Sequence, residues 1–178
     1  AGNTEYDVEA YLQTDGTIPS SGVNGFVAFG FLGNATSLPT NGMWLEFRYD
    51  GTTNDAEWHL VNRKDGAQTR TALTGTSIAA NTFHYVRLRV SRATNGDVTQ
   101  DWWIDGANGT VTTLNADVGT ANIPTDATTI SGDAFGFCAR VSKAGTPTTT
   151  AMQWYVGFCG GRIRREFTPS RRPQIGRS

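Results

Sequence analysis

The stretch from Phe83 to Gly106, FHYVRLRVSRATNGDVTQDWWIDG, constrains the fold more than any other part of the chain. In its first half His84, Val86, Leu88 and Val90 alternate with Tyr85, Arg87, Arg89 and Ser91. Period two with β-branched residues is the pattern of a half-buried strand, because successive side chains of an extended backbone point to opposite faces. Thr94-Asn95-Gly96-Asp97 then supplies a turn, since Asn and Gly tolerate positive φ. The second half ends in Trp102-Trp103-Ile104-Asp105-Gly106, with Trp102 and Ile104 on one face and Trp103 and Asp105 on the other.

The same alternation recurs along the chain. Glu5 to Gln13 reads as a first strand with Tyr6, Val8, Ala10 and Leu12 facing a core. Phe26 to Leu32 is apolar on both faces and so belongs centrally, covered on both sides. Met43 to Tyr49 alternates, and Glu57 to Arg63 and Gln68 to Leu73 form a hairpin around Lys64-Asp65-Gly66. A short strand is expected near Thr110 to Leu114, a long surface loop over 115–133, and last strands over Ala134 to Val141 and Ala151 to Cys159. No segment carries a sustained helical stripe. The expected fold class is all-β, as one domain over residues 1–161 and a basic extended C-terminal arm over 162–178.

The hairpin's motifs resemble laminin-G and concanavalin-like jelly-roll domains: an aromatic-His-x-Val-x-Leu strand, a polar turn, then a strand closing on Ile-Asp-Gly. The opening TEYDVEAYLQTDG resembles the first strand of such domains. FGFCARVSKAGTPTTTAMQWYV resembles the closing strands of jelly-roll modules in bacteriophage tail and head-surface proteins. The resemblance spans about residues 5 to 159 and implies a two-sheet antiparallel jelly-roll sandwich. It carries a fold further than an activity.

Charge is unevenly placed. Arg162, Arg164, Arg165, Arg171, Arg172 and Arg177 against Glu166 give the last segment +5, leaving −6 on the rest of a chain whose total is −1. Such a tail suits docking on an acidic protein surface; as a solvated terminus it would do nothing. Direct nucleic-acid binding is not expected. The chain shows no secretory signal at its start and no apolar run long enough for a membrane helix, and its missing initial Met is read as processing, trimming or excision. Cys138 and Cys159 are read as buried free thiols, and no Cys/His cluster suggests zinc.

Three groups of residues carry candidate chemistry. Glu5, Asp7 and Glu9 share one face of the first strand and match the E-x-D-x-E motif of laminarinase-type retaining β-glucanases. That resemblance would make Glu5 and Glu9 nucleophile and acid/base, with Asp7 tuning them; the competing reading is the solvent face of a first strand, and a non-enzymatic protein is expected. Trp44, Glu46, Arg48, Tyr85, Arg87, Arg89 and Trp103 fall on non-core sides, where aromatic rings and hydrogen-bonding charges would suit a glycan, a second layer or a subunit interface. Asp50, Asn54 and Asp55 lie in one turn-rich loop; no cofactor is expected, and Ca²⁺ is the ion such oxygens would take.

The expected function is a non-enzymatic structural module on the surface of a virus particle, as a head decoration, fibre or tail protein docked through its Arg-rich segment. It would assemble in the host cytoplasm with other virion proteins and copies of itself, with a trimer implied by the resemblance. A carbohydrate-binding, receptor-binding module is the alternative, and a retaining glycoside hydrolase the second alternative.

Overall fold

The computed structural model describes residues 4–14, 18, 25–32, 40–50, 53–124, 136–143 and 154–165. Among the described residues ten strands make two five-stranded antiparallel sheets, a β-sandwich compatible with a jelly roll. The strands are β1 (Thr4–Thr14), β2 (Gly25–Leu32), β3 (Gly42–Tyr49), β4 (His59–Lys64), β5 (Ala67–Ala72), β6 (Phe83–Arg92), β7 (Val98–Ile104), β8 (Ala107–Thr113), β9 (Gly136–Lys143) and β10 (Trp154–Arg165). The first sheet has the order β10-β1-β6-β7-β8, the second β5-β4-β3-β2-β9. The chain therefore runs as a meander in the second sheet (β2 to β5), then as a meander in the first (β6 to β8). It returns through β9 to finish at β10, beside β1.

Alternation is the physical cause of the sandwich. Val8, Ala10 and Leu12 of β1, Val86, Leu88 and Val90 of β6, and Trp102 and Ile104 of β7 are buried and face Val27, Phe29 and Phe31 of β2 and Met43, Leu45 and Phe47 of β3 in one core. The apolar second strand is covered on both sides, as its sequence requires, because Ala28 packs with Trp44 and Val61 in a second cluster on the outer face of its sheet. His84 faces the core among apolar neighbours and is hydrogen-bonded at both ring nitrogens. Ala79 N–H donates to Nε2 at 3.0 Å, so the Nδ1 proton goes to Asp105 Oδ2 at 2.8 Å.

Two buried amides cross the sandwich. Asn62 on β4 donates to Gln100 Oε1 at 3.1 Å, and Gln100 on β7 donates back to Asn62 Oδ1 at 2.6 Å. Each satisfies the other in the buried interior, where an unpaired amide would cost about 1–3 kcal/mol. Pairing of this kind fixes how the two sheets sit on one another.

The turns differ in part from expectation. The β6–β7 hairpin closes as foreseen, with Gly96 at φ 95° and its N–H on Ala93 O at 3.0 Å. A Cβ there would also meet the Asn115 side chain, which would have to move aside, so the positive φ is what favours glycine. The β8 strand begins at Ala107, before the expected Thr110, because Asp105 (φ 53°) and Gly106 close a two-residue hairpin. The expected surface loop over 115–133 is a 3₁₀ turn over Asn115–Asp117 that leads into the core. Val118 and Ile123 are buried, and residues 125–135 lie outside the described residues.

The expected boundary at 161/162 falls inside a strand. β10 continues to Arg165, pairing Arg162 with Asp7, Arg164 with Glu5 and Arg165 with Thr4. The ladder to β1 stabilises what sequence reading took for the start of a free arm. The two cysteines sit in different sheets, and Cys159 is a free thiol exposed at the surface rather than buried.

Candidate functional site

The outer face of the first sheet gathers side chains from four strands. Register sets the pattern: Tyr11 lies opposite Tyr85, Glu9 opposite Arg87, Asp7 opposite Arg89, and Glu5 opposite Ser91. On the far side Arg87 is opposite Trp103 and Arg89 opposite Asp101. On the near side Glu9 is opposite Gly160 and Asp7 opposite Arg162. The period of the strands makes these rows contiguous, with aromatic rings at one end and charges in the middle.

The charges are mutually ordered. Arg87 grips Asp7 with two bonds, Nε to Oδ1 at 2.9 Å and Nη2 to Oδ2 at 2.7 Å. Arg162 adds a third from Nη2 to Oδ2 at 3.1 Å. Burial alone would raise the Asp7 carboxyl, but these two guanidiniums outweigh it and hold Asp7 below its ordinary value of 3.8. The Arg87 guanidinium is correspondingly held above its usual range, chiefly by the Asp7 hydrogen bonds. Arg87 also lies over the Trp103 ring at 4.6 Å from its centroid, and Arg89 at 5.4 Å. Two cations thus cover the indole that sequence reading offered as a stacking surface. Arg89 is fixed in turn by Asp101, at 2.9 and 2.7 Å.

Tyr85 links the charged rows to the aromatic end. Its hydroxyl donates to Glu9 Oε2 at 2.7 Å, and its ring lies 5.2 Å from that of Tyr11. Burial, and then the Glu9 carboxylate, push the phenol up to about 12. Tyr11 is 47% exposed and Phe83 beside it 50%, so this end presents open ring surface. A Cβ at Gly157 on β10 would meet the Phe83 ring at 3.3 Å and the Tyr11 Cβ at 3.7 Å.

Between the rows of β1, β6 and β10 lies an open pocket of about 350 Å³, lined by Asp7, Glu9, Arg87, Gly160, Gly161 and Arg162. The space exists because position 160, directly opposite Glu9, carries no side chain. The volume lies at the small end of the roughly 300–1,000 Å³ usual for small-molecule sites.

The structure unites some of the sequence-predicted residues and separates others. Glu5, Asp7 and Glu9 share one face with Tyr85, Arg87, Arg89 and Trp103, and Arg162 joins them. Trp44, Glu46 and Arg48 do not: they stand on β3, in the other sheet. Trp44 and Glu46 are fully buried rather than exposed, because the outer face of that sheet has a packed layer of its own. The Trp44 indole donates to Glu46 Oε2 at 3.0 Å, and Arg48 reaches both Glu46 oxygens at 3.1 Å. Arg70 Nη2 lies 3.1 Å from Oε1 as a second cation on the same carboxylate. These residues pin edge strand β5 to β3.

The loop offered for Ca²⁺ is engaged elsewhere. Asp55 is taken by Arg70 at 2.5 and 3.2 Å and by the Arg48 N–H at 2.7 Å, while Asp50 accepts from Thr53 N–H at 2.7 Å. Asn54 makes an isolated bridge to Tyr49. Among the described residues no group of three or more His, Cys, Asp or Glu side chains could hold a metal. The Arg164 and Arg165 side chains, and all of Arg171, Arg172 and Arg177, lie outside the described residues.

Sequence reading passed over Phe83, Asp101 and Gly160. Alternation alone placed Phe83 and Asp101 on the outward side, but a diglycine near a chain end read as a boundary rather than as the gap in a site. No known family model matches the chain, and no curated protein matches it in sequence.

Proposed function

We propose that the chain is a non-catalytic saccharide-binding module, carried on the surface of a virus particle of the bacteriophage type, and that the outer face of the first sheet holds the ligand. The carrying observation is the pocket in which Arg87 and Arg162 hydrogen-bond Asp7 and Tyr85 hydrogen-bonds Glu9, beside the open rings of Tyr11 and Phe83. Ordered planar charges offer donors and acceptors to hydroxyls, and exposed rings offer flat apolar surface to a pyranose. Preordering lowers the entropy cost of binding.

The hydrolase reading is weaker on the same face. Of the two glutamates, Glu5 and Glu9, Glu9 already accepts a hydrogen bond from the Tyr85 hydroxyl at 2.7 Å. Asp7 stands between them, held as a carboxylate by two arginines, and is no candidate for a proton donor.

The test is a glycan array with the wild-type chain, paired with a reducing-sugar assay on the hits. Binding without sugar release, lost in Tyr11→Ala and Phe83→Ala, is the expected result. Release that disappears in Glu9→Gln would replace this reading with the hydrolase.

A second role, docking on the particle, is favoured by β10. It is the edge of its sheet, no other strand pairs with its outer side among the described residues, and it carries Arg162, Arg164 and Arg165 at its end. Replacement of Arg164 and Arg165 by Ala together with removal of residues 166–178 keeps the β10 register positions and should abolish incorporation into particles; unchanged incorporation would rule out docking through the Arg-rich segment.

A further inference from the structure

Resting on the saccharide reading, we infer that the pocket selects uncharged saccharides over acidic ones, and that Glu9 and Arg162 are the pair that makes the choice. The inference follows from what each lining group has left to offer. Arg87 is the more committed arginine: two of its five N–H groups are on Asp7 and its guanidinium lies over Trp103. Asp7 receives three N–H bonds and is almost wholly buried. Glu9 uses only Oε2, for the Tyr85 hydroxyl, and its other oxygen has no partner among the described residues. Arg162 has a half-exposed side chain and commits only Nη2, which lies 3.1 Å from Asp7 and 4.0 Å from Glu5. The pocket therefore presents one free carboxylate oxygen and several free guanidinium N–H groups on the two sides of the space that Gly160 leaves open.

A hydroxyl both donates and accepts, so adjacent hydroxyls on a sugar ring can give a proton to Glu9 and take hydrogen bonds from Arg162. A sugar carboxylate only accepts. It would meet Arg162 favourably, but that guanidinium already shares the Asp7 carboxylate with Arg87, and the Glu9 charge stands in the same small pocket. The four ionised groups there, Asp7 and Glu9 against Arg87 and Arg162, sum to zero and leave no net field to attract an anion. Glu9 is the repulsive element that a selective site needs against the wrong ligand.

The experiment uses the full chain on immobilised oligosaccharides in matched pairs, each neutral glycan beside its sialylated or uronic-acid counterpart. The wild type should bind neutral members at least about tenfold more tightly, equal to ~1.4 kcal/mol. Glu9→Gln keeps an acceptor for Tyr85 and removes the charge; it should narrow the gap to about threefold or less. Arg162→Ala, which leaves Asp7 its two bonds from Arg87, should weaken the neutral members about tenfold. Acidic members bound as tightly as neutral ones by the wild type would overturn the selectivity while leaving the saccharide reading in place. A gap unchanged in Glu9→Gln would overturn the role of Glu9. Silence across the whole array, with a folded protein by circular dichroism, would overturn the saccharide reading and the selectivity with it.

Discussion

Asp7 and Arg87 meet diagonally across β1 and β6 and are joined by two charge-assisted hydrogen bonds, Nε to Oδ1 at 2.9 Å and Nη2 to Oδ2 at 2.7 Å. The pair stands at the centre of the outer face, and Arg162 ties the last strand to it. Its loss should be felt in stability. Asp7→Asn should cost about 2 kcal/mol near neutral pH, the scale of hydrogen bonds to a charged group. Because the folded carboxyl titrates below its ordinary 3.8, its contribution is present above that value and lost as pH falls through the folded value. Thermal melts of wild type and variant should differ at pH 7 and converge in strong acid; a gap independent of pH would contradict the ion pair.

Tyr85 titrates in the opposite sense. Its phenol is pushed up to about 12 from 10.0, so the folded state holds the proton longer than the unfolded chain does. The Tyr85–Glu9 bond therefore contributes stability below about pH 10, and that contribution is lost as pH rises towards 12. Ultraviolet titration should show one late-ionising tyrosine that vanishes in Tyr85→Phe and ionises earlier in Glu9→Gln. The partly exposed hydroxyl is worth about 1 kcal/mol or less after solvent screening.

The Asn62–Gln100 pair should behave as a unit. Gln100→Leu leaves a buried amide unpaired and should cost about 2–3 kcal/mol by denaturant unfolding. Asn62→Leu should cost a similar amount, and the double variant should recover at least about 1 kcal/mol relative to their sum. Strict additivity would show that the two amides do not act on one another.

Gly109 tests the packing of β8 on β7. A Cβ at this position would lie 2.7 Å from Cζ2 of Trp102, whose large ring is buried in the core. Gly109→Ala should destabilise by about 1–3 kcal/mol and change the tryptophan fluorescence. A neutral effect would mean that β8 can shift outward.

Much of the fold was legible because the signal is local. Alternation in FHYVRLRV, EYDVEAYLQ and MWLEFRY named the core-facing residues of β6, β1 and β3, since period two holds wherever a strand has one buried face. The same rule failed for Trp44 and Glu46. Alternation says which residues share a face; it does not say whether that face meets water, and here a second apolar cluster and an ion network fill it. The Gly160-Gly161 doublet misled for a related reason: glycine reads as a break along the chain, whereas here the strand runs on because β1 supplies its ladder.

By itself the sequence determined the class of fold, most strand positions and the inward set of each strand, because these follow from backbone period and turn chemistry close along the chain. Tertiary structure decided which strands lie side by side. Pairing β1 with both β6 and β10 brings Asp7, Arg87 and Arg162 within hydrogen-bond reach although 80 and 155 residues separate the arginines from the aspartate. Pairing β3 into the opposite sheet removes Trp44 from that company. Contacts so distant in sequence carry no local pattern, and the site exists only where the sheet order assembles it.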